Sequence, residues 1–228
     1  MQRRKYSLED YNKKDPFDDS CIKFFILYEG IDKEPNYFQA FCDTFLEEKR
    51  VYVHHILETN SNIKGNMPKN LLDRVKDFLD NPPKDLKFTP SNEDKFRFVL
   101  DVDKHPKQQI VNLYEYCETL LDSNLYISNF CFEIWLWFHL DEQENILATK
   151  SKEIKTELGK KQNQSGVNFP HGYMSFEKIN KAIERAELAD INKEDYFPAE
   201  KTTKVYLLMK ELLKYSLINT EIFESEEI

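Results

Sequence analysis

The chain has 228 residues, 40% hydrophobic and 14% aromatic, with five glycines and 32% charged side chains; this is enough apolar material for one large domain, or for a core with an appendage. A formal charge of −9 and a pI near 5.2 argue against a nonspecific nucleic-acid coat, which would be basic overall. No apolar run approaches the length of a membrane span, "MQRRKYSLEDYNKKD" is too polar for a secretory leader, and Cys21, Cys42, Cys117 and Cys131 show no C-x-x-C spacing, so the expectation is a cytoplasmic protein with free thiols and no structural zinc, disulfide framework or membrane contact.

Residues 1–20 are polar and charged and read as a flexible arm. "CIKFFILYE" (21–29) is an almost unbroken apolar run, the signature of a strand buried on both faces. "PNYFQAFCDTFLEEK" (35–49) sets Tyr37, Phe38, Phe41 and Phe45 at helical spacing behind Pro35, a residue suited to a first helical turn. "VYVHHILE" (51–58) reads as a second strand. "PKNLLDRVKDFLD" (68–80) reads as an amphipathic helix through Leu71, Leu72, Val75, Phe78 and Leu79. "FRFVLD" (96–101) is the third strand. "KQQIVNLYEYCETLLD" (107–122) is a helix with Ile110, Tyr114, Cys117 and Leu121 on one stripe, and "LYIS" (125–128) a short fourth strand. "FCFEIWLWFHL" (130–140) is apolar nearly all round, hence a buried helix that makes Trp135 and Trp137 core residues. After 145 the strands are expected to stop, leaving "SFEKINKAIERAELAD" (175–190) and "KTTKVYLLMKELLKYS" (201–216) as amphipathic helices.

Strand and helix alternate from 21 to 140, which implies an α/β fold with parallel strands joined by helical crossovers. Ligands of such sheets gather at the carboxyl ends of the strands. Glu29-Gly30 ends the first strand, and Asp101 and Asp103 end the third. In extended backbone residues i and i+2 point the same way, so Asp101 and Asp103 lean together. Two carboxylates held that close repel unless a cation lies between them. A polar strand end built for a turn is the plainer alternative, since Asp favours turns.

Several segments together resemble one family. "FILYEGIDKEPNYF", "FVLDVDKHP", "ISNFCFEIWLWFHL", "KAIERAELAD" and "KTTKVYLLMKELL" occur in the order seen in the RloB family, over roughly residues 20–216. The resemblance implies a Toprim-like domain over 21–140, a parallel sheet flanked by helices, with a helical C-terminal extension over 141–228 packed on it. It further implies a Mg²⁺- or Mn²⁺-dependent phosphodiester site, with Glu29, Asp101 and Asp103 as metal ligands, and a setting beside restriction and phage-defence ATPases. The family segment after the glutamate usually reads Thr-Glu-Pro. Here it is Lys33-Glu34-Pro35, so Glu34 survives while a lysine replaces the threonine hydroxyl.

These residue types suit the chemistry. Mg²⁺ takes oxygen ligands, often one or two carboxylates with waters and a substrate phosphate. Bound metal can activate water and stabilise charge on the attacked phosphate. Asp101 and Asp103 would hold the metal, with Glu29 a shared ligand or general base. Glu133 either joins the site or only complements a helix dipole in a first turn. It stands roughly 240° from His139 around a helix, so those two should not converge. His105 either contacts a phosphate or acts as an acid, or is a solvated loop histidine; His54, His55, His139 and His171 show no metal spacing. Lys150, Lys152, Lys155, Lys160 and Lys161 form the basic stretch of an acidic chain, either a solvated helix face or a patch that steers nucleic acid.

The leading expectation is a metal-dependent nuclease effector of a prokaryotic anti-phage system, a toxin of the abortive-infection kind that cleaves RNA, transfer RNA included, or DNA. An AAA- or ABC-type ATPase would be its partner, and a homodimer is an assembly left open. The alternative is a non-catalytic Toprim-fold regulatory subunit of a defence complex. A primase-like nucleotidyl transferase ranks last, because no glycine-rich phosphate loop is present.

Overall fold

The computed structural model describes residues 21–47, 50–84, 86, 90, 94–102 and 105–217. The arm expected over 1–20 and the aspartate at 103 lie outside the described residues. Among those described, β1 (Ile22–Tyr28), β2 (Val51–Ile56), β3 (Lys95–Asp101), β4 (Asp122–Asn129) and β5 (Thr202–Thr203) form one sheet in the order β2-β1-β3-β4-β5. The first four strands run parallel and β5 pairs antiparallel with β4.

Alternation along each strand splits the core in two. Phe24, Ile26 and Tyr28 of β1 and Val99 of β3 face one side; Phe25, Leu27, Phe96, Phe98 and Leu100 face the other. The first side is covered by α1 (Lys33–Phe45), α4 (Glu133–Phe138), α5 (Ser151–Ser165), α6 (Phe176–Ala189) and α7 (Val205–Leu213). The second is covered by α2 (Pro68–Asp80) and α3 (Lys107–Cys117). The result is an α/β architecture with a mostly parallel sheet between helices and further helices from the C-terminal part, in keeping with the Toprim-like expectation. The first cluster runs unbroken from Phe24 to Leu213, across position 140. Trp135 and Trp137 are core residues, and Cys21, Cys42, Cys117 and Cys131 are free thiols. Among the described residues no helix is long and apolar enough to cross a membrane.

Three expectations are corrected. Strands do not stop after 145: Thr203 Oγ1 lies 2.8 Å from Ser128 Oγ, and Lys204 N–H donates to Ile127 O at 2.8 Å, adding a two-residue strand to β4. A strand that short has no periodicity to detect. The helix drawn over 107–122 ends at Cys117, and Leu121, assigned to its apolar stripe, is 73% exposed. Residues 118–121 form a turn, and only Asp122 belongs to β4, where its carboxylate meets Lys95 and Arg97 at the head of β3. The buried helix over 130–140 is a single short element, α4, and every residue in it is buried.

A buried ion pair ties the C-terminal helices down. Lys204 Nζ donates to Asp190 Oδ2 at 2.6 Å, and the Tyr206 hydroxyl donates to the same oxygen at 2.9 Å. Lys204 also donates to Asn192 O at 2.7 Å, so its buried charge is met on more than one side.

Candidate functional site

The carboxyl ends of β1 and β3 lie side by side because these strands pair directly. Glu29 N–H donates to Val99 O at 3.1 Å, carrying that pairing one residue beyond β1. Its side chain turns back to the neighbour: Glu29 Oε2 accepts from the Asp101 backbone N–H at 2.9 Å. The other oxygen, Oε1, lies 2.6 Å from His105 Nε2, a close contact set off the hydrogen-bonding line. His105 is fixed in turn by its own N–H, which donates to Val102 O at 3.1 Å. The strand-end carboxylate, the third-strand aspartate and the loop histidine are therefore brought together.

Asp101 shares a strand face with Arg97 and Val99, so its side chain looks toward the helices of the first core cluster. Two more carboxylates meet it there. Glu34 sits in the first turn of α1 and Glu133 begins α4. Gly30 makes room for Glu34, since a Cβ at that position would collide with the Glu34 carboxylate. Both glutamates are placed where a helix dipole favours negative charge, yet they are 6% and 7% exposed. Lys155 reaches in from α5, with Nζ 3.8 Å from Glu133 Oε2. Together these residues line a cleft of about 310 Å³, with Lys33 and Asn66 also on its wall. The Asn66 segment is held by the buried Arg74, whose Nη2 donates to Gly65 O at 2.6 Å and to Asn66 Oδ1 at 3.2 Å.

The electrostatics of the cleft are those of crowded acids. Burial pushes the Glu34 carboxyl up to about 7, with Glu133 and Glu29 adding to the rise and Lys155 opposing it. Burial also raises Asp101 well above the usual carboxylate range, reinforced by Glu34, Glu29 and Glu133. Each group resists ionisation because its neighbours are anionic and water is scarce. That is an unmet demand for positive charge, and the donors on offer are hard carboxylate oxygens, so the residues fit a Mg²⁺ or Mn²⁺ ion. Among the described residues no three His, Cys, Asp or Glu side chains close into one ligand sphere. An open acidic cleft suits an ion that keeps several of its waters.

Of the residues singled out in the sequence, Glu29, Glu34, Asp101 and Glu133 share this cleft and His105 adjoins it; the aspartate at 103 lies outside the described residues. Glu133 and His139 stay apart: His139 is buried, its Nε2 3.0 Å from the Tyr37 hydroxyl. His55 pairs with the Tyr28 hydroxyl at 2.6 Å. Within the lysine stretch Lys161 pairs with Asp141 and Lys150 with Glu153, and Lys155 is the member that lines the cleft. Sequence reasoning missed Asn66, a loop residue with no local signal, and the packing of Glu34 across Gly30.

No curated protein sequence and no solved structure matches the chain. The model of the RloB-like protein family matches residues 24–212, which carry all the described residues of this cleft; the chain belongs to the RloB-like family.

Proposed function

We propose that this RloB-like chain is a metal-dependent nuclease of a prokaryotic defence system, cleaving RNA or DNA phosphodiesters under the control of a partner ATPase. The observation that carries the proposal is the meeting of Glu29, just past β1, with Glu34, Asp101 and Glu133, from α1, β3 and α4, at the carboxyl ends of adjoining parallel strands. Asp101 and Glu34, with Glu29 and Glu133, would hold Mg²⁺ or Mn²⁺. When bound, the ion supplies charge for the attacked phosphate and a more acidic water. The chain's own residues do the rest. Glu29 is oriented by the Asp101 N–H and is the group to receive a proton at Oε1, beside His105 Nε2. Glu133 enters the cleft from the first residue of α4, a short helix buried along its whole length.

The control by an ATPase rests on the family's association with restriction and phage-defence ATPases. The test is incubation of purified protein with end-labelled RNA and DNA in Mg²⁺, Mn²⁺ or EDTA. Cleavage that needs the metal and is lost in Asp101→Asn supports the proposal; cleavage unchanged in Asp101→Asn overturns it. The net charge of −9 favours a second reading, a non-catalytic regulatory subunit. Calorimetry separates the two, since a regulatory subunit without a metal centre gives no Mg²⁺ or Mn²⁺ heat that Asp101→Asn removes.

A further inference from the structure

A polyanion approaching this cleft meets four inner carboxylates. A divalent ion offsets two charges at most. The remaining offset has to come from basic side chains, and two line the cleft: Lys33, the first residue of α1, and Lys155, on α5. Each lines the cleft while held by a contact of its own. Lys33 Nζ lies 4.7 Å from the centroid of the Phe169 ring, a cation–π distance. Phe169 is braced edge-on by Tyr173 at 6.1 Å, and the Tyr173 hydroxyl accepts from Gln162 Nε2 at 2.8 Å. Lys155 is tethered 3.8 Å from Glu133, with its side chain about half exposed at 51%. An ammonium is a compact, mobile point charge suited to a phosphate oxygen.

We infer that Lys33 and Lys155 form a two-point phosphate clamp at the mouth of the acidic cleft, binding the backbone of a single-stranded nucleic acid so that one phosphodiester lies over Glu29 and Asp101. The clamp rests on the nuclease reading and assigns that site its substrate class: a flexible single strand can enter a cleft of about 310 Å³, whereas a duplex is a stiff rod whose paired strands cannot fold into so small a space. Lys33 and Lys155 are positioning residues, and they act on binding before they act on rate.

The test is fluorescence anisotropy of the full chain with labelled mixed-sequence single-stranded RNA, single-stranded DNA and duplex DNA, in EDTA and in Ca²⁺, across a salt series. Lys33→Gln and Lys155→Gln should each weaken single-strand binding several-fold and lower the salt slope by about 0.7, the value for one lost contact to a single strand. Lys33→Arg should restore both. Lys152→Gln, on the exposed face of the same helix as Lys155, should change neither. In cleavage assays the two variants should raise KM more than they lower kcat. Binding and slope unchanged in both variants overturns the clamp and leaves the nuclease reading standing. Tighter binding of duplex than of single strand overturns the substrate class. Lost slope without any cleavage by the wild type supports the clamp and removes the nuclease; no binding of any probe by the wild type removes both.

Discussion

Arg97 and Asp101 lie on the same face of β3, four residues and roughly 13 Å apart, and the chain treats their charges in opposite ways. At the head of the strand Arg97 is 1% exposed and fully answered: Nη2 lies 2.6 Å from Glu211 and 2.7 Å from Asp122, Nε donates to Glu211 at 2.7 Å, and Lys95 joins the same carboxylates. At the tail Asp101 is also buried, but its neighbours are Glu29, Glu34 and Glu133, with Lys155 as the opposing charge. The head of the strand is a structural ion cluster whose charges balance. The tail is an imbalance that folding alone would not select, because buried like charges cost stability. Charge that a fold leaves unbalanced at a strand end marks where a ligand completes the account.

The contrast can be broken from either end. Asp101→Asn should cut metal-dependent cleavage on the order of a thousandfold while the melting temperature holds or rises, since it removes a repelled acid. Arg97→Met should do the reverse. It leaves Glu211 and Asp122 with Lys95 as their shared cation and should lower stability by about 1–3 kcal/mol, read by urea denaturation. A variant of Asp101 that unfolds the protein would place both ends of the strand in the same structural role. Gly30→Ala sharpens the point: its Cβ must push the Glu34 carboxylate aside, so activity should fall by up to about a hundredfold with the far-UV spectrum and melting temperature nearly unchanged.

The next effect is one of pH. The Glu34 carboxyl titrates at about 7 in the folded chain, against an ordinary 4.5. Below 4.5 both states hold the proton and the contribution to stability is intact. As pH rises to 7 the unfolded chain releases its proton first, so stability declines across that window, by something of the order of 1–3 kcal/mol. Glu34→Gln should flatten this decline in melting curves taken from pH 4.5 to 7.5, and Mg²⁺ should raise the wild-type melting temperature most at the upper end. The smallest effect belongs to an exposed pair remote from both clusters. Lys181 lies 3.7 Å from Glu177 one helical turn away, and Lys181→Ala should shift stability by under about 0.5 kcal/mol.

Much of this was legible in the chain before any coordinates. The unbroken apolar runs of β1 and β3 announce strands buried on both faces, and their position before helical segments dictates parallel pairing, so Glu29 and Asp101 had to reach one rim. Glu34 was legible as a candidate, but not the cradle at Gly30 that lets it lie across the backbone, because that depends on the turn between β1 and α1. Lys155 was hidden among four other lysines. What distinguishes it is the placement of Ile154 and Leu158 in the core, which turns the intervening side chain toward Glu133. β5 was invisible because two threonines carry no period; only their antiparallel backbone pairing with Ser128 and Asn129, continued by the Lys204 N–H to Ile127 O, makes them a strand.

The Lys204–Asp190 lock has a consequence for how the protein is made. Glu133, the last of the four cleft carboxylates, precedes Lys204 by 71 positions in the chain, so at roughly 5–20 residues per second a ribosome emits the one about 4–14 s before the other. During that interval the nascent polypeptide already carries its acidic rim but lacks the fastening that seats α6 and α7 on the first sheet face. The acidic residues are therefore synthesised before the lock that fastens α6 and α7, and the fold closes around them only once Lys204 has emerged.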